Sequence, residues 1–498
     1  MALIQITDLT FTYPGSFDPV FEHVSFQLDT DWRLGLTGRN GRGKTTLLRL
    51  LQGQYPHQGT ITSPGGFEYF PYPIPDAALT PLELLECSFP DVPQWRLRRE
   101  LAPLFVTDDA LYRPFSTLSG GEQAKILLAL LFAREGRYLL IDEPTNHLDE
   151  TGRALVSRYL AKKSGFLLVS HDRAFLDGCV DHILSINRGG IEVQKGNFSS
   201  WYENRQRQDA FELAQNAQLK KEIGRLKQAA RQSRTWADKV ESTKIGPHSA
   251  KVTGEADAMG GRAYIGEQSR RMQQRRKNLE RRQNAAIEEK SALLKNIEQA
   301  APLKLHQLPY HTDRLALLRD VSVCYGGAPV CRGVSFCVEQ GDRIALRGAN
   351  GTGKTSLLRL LCGEDVPHTG TVERSSRLRI SYVRQDPSGL RGDLGAYAAR
   401  YGLDESLFKA ILRKLDFARV QFEKDMADFS AGQKKKVLLA RSLCEPSHLL
   451  VWDEPLNYVD VLSRMQIENL LLEFQPTIVF VEHDRVFCDH VATKAVML

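Results

Sequence analysis

A glycine-rich loop reads Gly38-Arg39-Asn40-Gly41-Arg42-Gly43-Lys44-Thr45, and it returns 310 residues later as Gly348-Ala349-Asn350-Gly351-Thr352-Gly353-Lys354-Thr355. In both places an apolar, strand-like run leads into the loop and an apolar helical pattern follows it. Glycines let backbone N–H groups turn toward phosphate oxygens, and the helix N-terminus adds its dipole. The lysine neutralises charge, and the threonine hydroxyl can bind Mg²⁺. A chance glycine turn could explain one match but not two in register, so the pattern predicts two phosphate-binding loops.

Three further motifs repeat in the same order, at offsets of 311, 311 and 312 residues. They are Ser119-Gly120-Gly121-Glu122-Gln123 with Ser430-Ala431-Gly432-Gln433-Lys434, Asp142-Glu143-Pro144 with Asp453-Glu454-Pro455, and His171-Asp172-Arg173 with His483-Asp484-Arg485. Four motifs at a nearly constant offset indicate two copies of one domain of about 200 residues.

Each copy has a pair of acidic residues directly after a continuous apolar run, Tyr138 to Ile141 or Leu449 to Trp452. Such runs are typical of strands buried on both faces of a parallel sheet. The first acid of each pair is placed to hold Mg²⁺ through water, and the second to orient an attacking water as a base. An isolated carboxylate pair is more often a solvated turn, but the buried strand and the upstream phosphate loop favour catalysis.

Bulk composition restricts the class of protein. The chain has 498 residues, of which 42% are hydrophobic and 25% charged, as expected of a globular protein with about two to four domains. Its first residues lack the basic start and apolar run of a secretory signal. The longest apolar stretch, Ile126 to Ala133, is far shorter than a membrane span. The eight cysteines lack zinc-site spacing, so we expect a cytoplasmic protein with reduced cysteines and no membrane partner.

The segment between the copies is basic. From Glu203 to Ala300 it holds 21 Lys and Arg against 13 Asp and Glu, a surplus of eight positive charges, whereas the whole chain carries +6. The basic character therefore belongs to this insert, and a polyanionic partner is predicted for it.

The insert also has the pattern of two long helices, each with one apolar seam. Leu219, Ile223, Leu226 and Ala230 alternate spacings of four and three, and Ile265, Met272, Leu279, Ala286 and Leu293 lie seven apart. Glycines between the helices predict a loop at residues 241–264. We therefore predict an antiparallel hairpin over residues 201–302, projecting on the order of 50 Å, between a first domain at 1–200 and a second at 303–498.

With these motifs, the sequence resembles the ATP-binding cassette superfamily, because Leu118-Ser119-Gly120-Gly121-Glu122-Gln123 looks like its signature. The resemblance covers both copies. It implies an α/β P-loop NTPase fold with helical and antiparallel β subdomains in each of two tandem cassettes, and ATP hydrolysis with Mg²⁺. It further implies that the cassettes close head to tail within one monomer, so that Lys44 faces Ser430 and Lys354 faces Ser119.

The resemblance and the residue chemistry together give a set of expected site residues. The catalytic residues are Glu143, Glu454, His171 and His483, the histidines contacting the γ-phosphate. The metal ligands are Thr45, Asp142, Thr355, Gln385 and Asp453. One nucleotide set comprises Tyr13, Gly38, Asn40, Gly41, Gly43, Lys44, Thr45, Thr46, Ser119, Gly120 and Gly121. The other comprises Tyr325, Gly348, Asn350, Gly351, Gly353, Lys354, Thr355, Ser356, Ser430 and Gly432. Tyr13 and Tyr325 are expected to stack on adenine.

Two departures from the family pattern predict unequal sites. The family's glutamine before the helical subdomain is present as Gln385, but Tyr72 occupies the corresponding place in the first copy. A phenol does not easily replace that amide at Mg²⁺. The second signature has Ala431 where the family has glycine.

Two cassettes in one chain with a hairpin between them look like the ABC-F group of ribosome-binding ATPases. Within that group, the stretches Trp236 to Gly246, Tyr264 to Gly266 and Glu454 to Asp460 resemble the Lsa and Vga type. That resemblance implies protection of ribosomes from lincosamides, pleuromutilins and streptogramin A. The ATP-closed form would bind the ribosomal E site, and the hairpin would contact large-subunit ribosomal RNA, shift the P-site tRNA and evict the drug. No separate protein subunit is implied.

Other functions stay open at this stage. A transporter ATPase has no reason to carry a long basic hairpin between its cassettes. A housekeeping translation factor of the same group often inserts an arm in its first cassette, but Lys44 to Ser119 spans 75 residues and Lys354 to Ser430 spans 76, so no arm is expected. Members that act on DNA carry a basic C-terminal coiled coil, which is not expected after His483. A solvated coiled-coil face remains the alternative to RNA binding by the insert.

Overall fold

The fold is given by a computed structural model. It describes residues 2–15, 19–146, 148–187, 190–243, 303, 305, 307–325 and 328–498, together with residues 274, 281 and 282. Contacts divide the chain into two units, one made of Met1–Trp201 with Ala300–Leu498 and the other of Tyr202–Gln299. No helix in the described ranges is long and apolar enough to cross a membrane.

The first copy begins with an antiparallel sheet. Strands β1 (Leu3–Phe11) and β2 (Phe21–Asp29) pair with each other, and β4 (Gln58–Thr62) pairs with the other edge of β1. Alternate residues of β1, including Ile4 and Ile6, are buried. This sheet therefore covers one side of the phosphate-loop helix with its apolar face.

A second, mostly parallel sheet carries the repeated motifs of the first copy. Its strands are β3 (Arg33–Thr37), β5 (Phe67–Phe70), β6 (Tyr138–Asp142), β7 (Phe166–Val169), β8 (His182–Asn187) and β9 (Gly190–Lys195). They lie in the order β5-β6-β7-β3-β8-β9, and only β9 is antiparallel to its neighbour. Since the carboxyl ends of parallel strands meet at one edge, the phosphate loop after β3, the acids after β6 and His171 after β7 converge there.

The helices of the first copy are α1 (Lys44–Leu51), α2 (Pro81–Ser88), α3 (Gln94–Leu101), α4 (Gly120–Ala133), α5 (Glu150–Ala161) and α6 (Arg173–Cys179). Short 3₁₀ helices at Ala102–Leu104, Asp108–Leu111 and Phe115–Thr117 connect α3 to α4. Helix α2 starts with a capping box, in which the Thr80 hydroxyl accepts from the Glu83 amide and the Glu83 carboxylate accepts from the Thr80 amide. Between α1 and α4 the chain thus forms a small helical subdomain.

After β9 the chain enters one long helix, α7 (Phe198–Thr243), of 46 residues. Of the residues predicted to form an apolar seam, Ile223 is buried and Leu219 and Leu226 are half-buried, whereas the burial of Ala230 lies outside the described residues. The helix is described through Thr243. The predicted tip and nearly all of the second helix lie outside the described residues, although residues 274, 281 and 282 are helical.

The second copy repeats the first. Its strands are β10 (Arg314–Tyr325), β11 (Ala328–Glu339), β12 (Arg343–Arg347), β13 (His368–Arg374), β14 (Ile380–Val383), β15 (Leu449–Asp453), β16 (Ile478–Val481) and β17 (Lys494–Met497). Its helices are α8 (Lys354–Cys362), α9 (Leu394–Arg400), α10 (Glu405–Lys414), α11 (Ala431–Cys444), α12 (Val461–Phe474) and α13 (Arg485–Val491), with 3₁₀ helices at Arg419–Glu423 and Met426–Asp428. The sheets run β11-β10-β13, antiparallel, and β14-β15-β16-β12-β17, parallel.

The apolar runs before the paired acids are buried along their length. Leu139 to Ile141 and Leu449 to Trp452 are at most 3% exposed, which confirms the prediction that these strands are covered on both faces. Two tandem cassettes of α/β architecture, each with an antiparallel and a helical subdomain, are therefore the fold of the chain.

Candidate nucleotide sites

The two phosphate loops have the same backbone geometry. Gly43 precedes α1 with φ of 89°, and Gly353 precedes α8 with φ of 83°. Both values lie in the left-handed region that favours glycine. A Cβ on Gly43 would also lie 2.6 Å from Cγ1 of Val20. The loop can therefore turn into its helix only with glycine at this position, and the turn aims backbone N–H groups at a common point.

The two predicted phosphate-binding lysines are held by their own loops. Lys44 Nζ donates to the carbonyl of Gly38 at 2.7 Å and to Asn40 Oδ1 at 3.3 Å. Lys354 Nζ donates to the carbonyls of Gly348 and Ala349, both at 2.8 Å. Burial lowers the pKa of both lysines. Each ammonium thus lies within its loop, bonded to neutral oxygens that a nucleotide phosphate can replace.

At the first site, the predicted ligands Thr45 and Asp142 are in contact. Thr45 Oγ1 donates to Asp142 Oδ2 at 3.1 Å, and the Tyr69 hydroxyl donates to the same oxygen at 3.0 Å. Burial raises the pKa of Asp142, and the two donors oppose this rise. Tyr69 was missed by the sequence analysis, because a tyrosine within β5 has the pattern of a core residue.

At the second site, the carboxylate of Asp453 is fully buried, and neither oxygen has a well-aligned hydrogen-bond donor among the described residues. Burial raises the pKa of this carboxyl to about 6, and the nearby Thr355 hydroxyl opposes the rise. Buried carboxylate oxygens without donors fit a hard divalent cation, which needs oxygen ligands. Asp453, Thr355 and Gln385 therefore form a donor set suited to Mg²⁺.

Each predicted base lies beside its predicted histidine. His171 Nε2 is 3.3 Å from Glu143 Oε1, and His483 Nε2 is 3.3 Å from Glu454 Oε1. Both glutamates have a positive φ, 50° and 46°, which is uncommon outside glycine. Such strain at the same position in both copies is typical of residues held for function. Asn457, which was not predicted, also donates to Glu454 Oε2 at 2.5 Å.

The electrostatic setting of the two bases differs. Burial, together with the Asp142 charge, raises the pKa of Glu143 to about 8. Burial would also raise the pKa of Glu454, but hydrogen bonds from His483 and Gln385 outweigh it and hold the pKa at about 2. Burial lowers the pKa of His171. Burial thus favours the protonated form of Glu143, whereas the hydrogen bonds to Glu454 favour its ionised form.

The second phosphate loop faces the signature of the first cassette across a cavity of about 450 Å³. The second cassette lines it with Val330, Asn350, Gly351, Gly353, Lys354, Thr355, Ser356, Gln385, Glu454 and His483. The first cassette lines it with Gly120, Asn146 and Leu148. Residues predicted to share a nucleotide from opposite cassettes therefore border one space.

The first phosphate loop meets the second signature directly. Asn40 Nδ2 donates to the carbonyl of Tyr458 at 2.9 Å. A Cβ on Gly432 would lie 2.4 Å from that carbonyl oxygen and 3.1 Å from Asn40 Nδ2. Only glycine allows this approach, so the first loop and the second signature are in contact here.

Both signature serines cap helices. Ser119 caps α4 with Glu122 in a capping box, and Ser430 caps α11 with Gln433 in the same arrangement. Gly120 and Gly121 form the first turn of α4, and the exposed Ala431 begins α11. Each signature therefore presents a helix N-terminus, which suits an anionic phosphate.

The two tyrosines predicted at adenine contact the residue after the phosphate-loop threonine. The Tyr13 hydroxyl is 2.7 Å from Thr46 Oγ1, and the Tyr325 hydroxyl is 3.0 Å from Ser356 Oγ. Their relative exposures are 38% and 44%. Each ring thus keeps accessible surface beside its loop, and adenine stacking stays a prediction.

Tyr72 lies where the second copy has Gln385. Strands β5 and β14 pair with β6 and β15 in matching register, so the two residues are equivalent. The Tyr72 ring packs against Phe89, with centroids 4.9 Å apart. In the first site it is Tyr69, three residues earlier, that contacts Asp142.

The two sides of the interface between the cassettes are not equivalent. Arg173 pairs with Glu468, and their side chains are 9% and 7% exposed. His490 Nδ1 also lies 2.6 Å from Glu468. On the other side, the positions that match Arg173 and Glu468 are Arg485 and Ser157, which line a cavity of about 520 Å³. The Arg485 side chain is 70% exposed.

A second buried ion pair lies in the second cassette. Lys436 Nζ is 2.8 Å from Asp460 Oδ2, and the two side chains are 3% and 0% exposed. Burial would raise the pKa of Asp460, but Lys436 and the charge of Lys44 hold it below its usual range. The charge of Asp460 therefore acts on the first phosphate loop from the opposite cassette.

Comparison with known proteins agrees with this geometry. The family described as ABC transporter matches residues 21–68 and 331–457. The ribosome protection protein VmlR of Bacillus subtilis is 26% identical over 503 residues, covering 99% of this chain and 87% of VmlR. The erythromycin resistance ATP-binding protein MsrA of Staphylococcus epidermidis is 28% identical, covering 93% of this chain and 91% of MsrA.

Among solved structures, the archaeal ribosome recycling factor aABCE1 in complex with the stalk protein aP1 aligns with a TM-score of 0.61. It is 18% identical, and the alignment covers 98% of this chain and 87% of aABCE1. At that identity the likeness concerns the fold, which is again two ABC cassettes. The chain is a tandem-cassette ATPase, and its relatives support the ABC-F type.

Proposed function

We propose that this ABC-F-type ATPase binds the ribosome and protects the peptidyl-transferase centre from lincosamides, pleuromutilins and streptogramin A. The observation that carries the proposal is similarity along nearly the whole chain to VmlR and MsrA, whose names are those of a ribosome protection protein and an erythromycin resistance protein. The Lsa and Vga features of the sequence supply the drug classes. We propose E-site binding on the same resemblance.

The charge of the insert supports an RNA partner. Its surplus of eight positive charges is larger than the net charge of the whole chain. Arg281 and Arg282 are exposed on a helical segment, where their guanidinium groups are free to approach RNA phosphates. The neighbouring Arg270, Arg271, Arg275, Arg276 and Lys277 lie outside the described residues. RNA helices are recognised mainly through shape and backbone contacts, which a basic helix can supply.

We propose the following roles for the site residues in hydrolysis. Lys44 and Lys354 neutralise phosphate charge, and the signature helix of the opposite cassette binds the γ-phosphate through its N-terminus. Glu143 and Glu454 orient the attacking water, and the adjacent histidines hold the bases and contact the γ-phosphate. When bound, Mg²⁺ would neutralise charge that develops on the phosphates, with Thr45 and Asp142 or Thr355, Gln385 and Asp453 as its protein ligands.

Closure of the interface between the two cassettes connects ATP binding to ribosome binding in this proposal. Since the second phosphate loop and the first signature border one cavity, ATP bound there would contact both cassettes and favour the closed pairing. We propose that the closed form binds at the E site, that the hairpin then displaces the P-site tRNA and the drug, and that hydrolysis releases the protein.

The test uses the double variant Glu143→Gln with Glu454→Gln, which should bind ATP and stay closed. It should sediment with 70S ribosomes or large subunits in ATP, and the bound fraction should fall as salt increases, because contacts to phosphate release counterions. Neutralising Arg281 and Arg282 should flatten this salt dependence, whereas neutralising Arg98, a half-buried arginine of the first cassette, should not. Absence of sedimentation at low salt would refute ribosome binding.

Drug protection needs a separate readout. Wild-type protein expressed in a susceptible host should raise tolerance to the three drug classes, and deletion of residues 249–260 from the predicted tip should abolish the rise with nearly full ATPase activity. Ribosome binding without any rise in tolerance would favour a housekeeping translation factor. Recovery with a membrane transporter subunit, and none with ribosomes, would favour a transporter ATPase.

A further inference from the structure

A buried lysine connects two segments of the second ATP site. Lys435 lies one turn into α11 and is fully buried. Its ammonium donates to the backbone carbonyls of Arg384 at 2.8 Å, Gln385 at 2.9 Å and Asp453 at 3.3 Å. An ammonium has three N–H donors, so these three carbonyls use all of them.

The three carbonyls belong to the two segments that carry proposed metal ligands. Arg384 and Gln385 follow β14, and Asp453 ends β15. A change in the backbone at either segment would move the Gln385 amide relative to the Asp453 carboxylate. Because Lys435 bonds to the backbone of both segments, it fixes the distance between the Gln385 amide and the Asp453 carboxylate.

The first site has no equivalent bond. The position that matches Lys435 is Ala124, which is buried in α4 and has no side-chain donor. The same site has Tyr72 in place of Gln385, and its ring packs on Phe89. The buried lysine and the glutamine therefore occur together in the second copy, and both are replaced in the first.

We propose that Lys435 is a positioning residue of the second ATP site, which holds Gln385 and Asp453 in the arrangement that binds Mg²⁺. The proposal rests on the metal role of those two residues. Residues behind the ligands of a metal site commonly change metal affinity or activity by about 10–100-fold when they are replaced. The three donors of Lys435 bond to the backbone of the ligand segments, so its loss should change metal binding more than nucleotide binding.

The experiment isolates each site in the full-length protein. In the Glu143→Gln background, in which only the second site turns over, Lys435→Met should raise the Mg²⁺ concentration for half-maximal ATPase activity by about tenfold. Binding of a fluorescent ATP analogue in EDTA should change less than about twofold, because the lysine does not touch the phosphate loop. Lys434→Met removes the same charge from a half-exposed neighbouring position and should leave the Mg²⁺ requirement unchanged.

The Glu454→Gln background gives the second control. There only the first site turns over, and Lys435→Met should leave its Mg²⁺ requirement within about twofold of the parent. An equal rise at both sites would show a general structural effect and overturn the proposal, as would an unchanged requirement at the second site. Asp453→Asn in the Glu143→Gln background tests the metal assignment itself, because no change there would refute that assignment independently of Lys435.

Stability of the variant is measured in parallel. Amide hydrogen exchange in Lys435→Met should increase at residues 384–386, 453 and 454, and remain at the wild-type rate at the matching Tyr72, Asp142 and Glu143. If Lys435→Met does not fold, Lys435→Gln, which keeps two donors but has a shorter reach, takes its place in the same Mg²⁺ titration. An unchanged Mg²⁺ requirement in that variant would also overturn the proposal.

Discussion

Replacing Glu468 by serine, the residue at the matching position 157, should destabilise the folded pair of cassettes by about 3–5 kcal/mol, since it leaves a buried charge without its partner. The side chain of Arg173 is 9% exposed, and its Nε already lacks a hydrogen-bond partner among the described residues. Without Glu468 the guanidinium cannot recover its hydration without opening the interface. The loss should therefore be much larger than for a surface ion pair.

The assay is urea unfolding followed by tryptophan fluorescence, with Arg485→Met as the matched control. Arg485 occupies the equivalent position but is 70% exposed and pairs with Asp489 at 3.5 Å, so its replacement should cost less than about 0.5 kcal/mol. Combining Arg173→Met with Glu468→Ser removes both charges and should recover about 1–3 kcal/mol of the loss. A Glu468→Ser protein as stable as the wild type, or a double variant with no recovery, would refute the assignment of a buried stabilising pair.

Two further outcomes are expected. Glu454→Gln should reduce ATP turnover at least about tenfold and more than Glu143→Gln, because the second site keeps an ionised base and its glutamine; equal losses in parallel assays would contradict this. Asp460→Asn should lose about 3–5 kcal/mol of unfolding free energy near neutral pH, because Lys436 stays buried unpaired, whereas Asp149→Asn, which keeps a helix cap, should lose less than about 1 kcal/mol. Since the folded pKa of Asp460 is lowered, its stabilisation is present above about pH 4 and is lost as pH falls below that value. The difference in unfolding free energy between wild type and Asp460→Asn should therefore become smaller in acid. Denaturation curves at a series of pH values measure this difference, and a difference that persists in acid would contradict the prediction.

Much of the fold could be predicted from motifs and short-range patterns. The phosphate loops and the strands that end at Asp142 and Asp453 depend on local spacing, and the structure has them where the sequence places them.

The residues that sequence reasoning missed act through tertiary contacts. Tyr69 reaches Asp142 because β5 and β6 pair in one particular register, which no spacing along the chain specifies. Lys435 looked like one of three consecutive lysines on a helix, a pattern usually found on solvated surfaces. Only the packing of α11 against the ends of β14 and β15 shows that its ammonium is buried.

The ion pair of Arg173 with Glu468 makes the two sides of the interface between the cassettes different. Two copies of the first cassette would place Arg173 opposite Ser157 on both sides, and two copies of the second would place Arg485 opposite Glu468 on both sides. In the fused chain, one side of the interface between the cassettes instead has the buried ion pair, and the other side has a cavity of about 520 Å³. Swapping the order of the halves would preserve these contacts, whereas duplicating either half would erase the difference between the two sides.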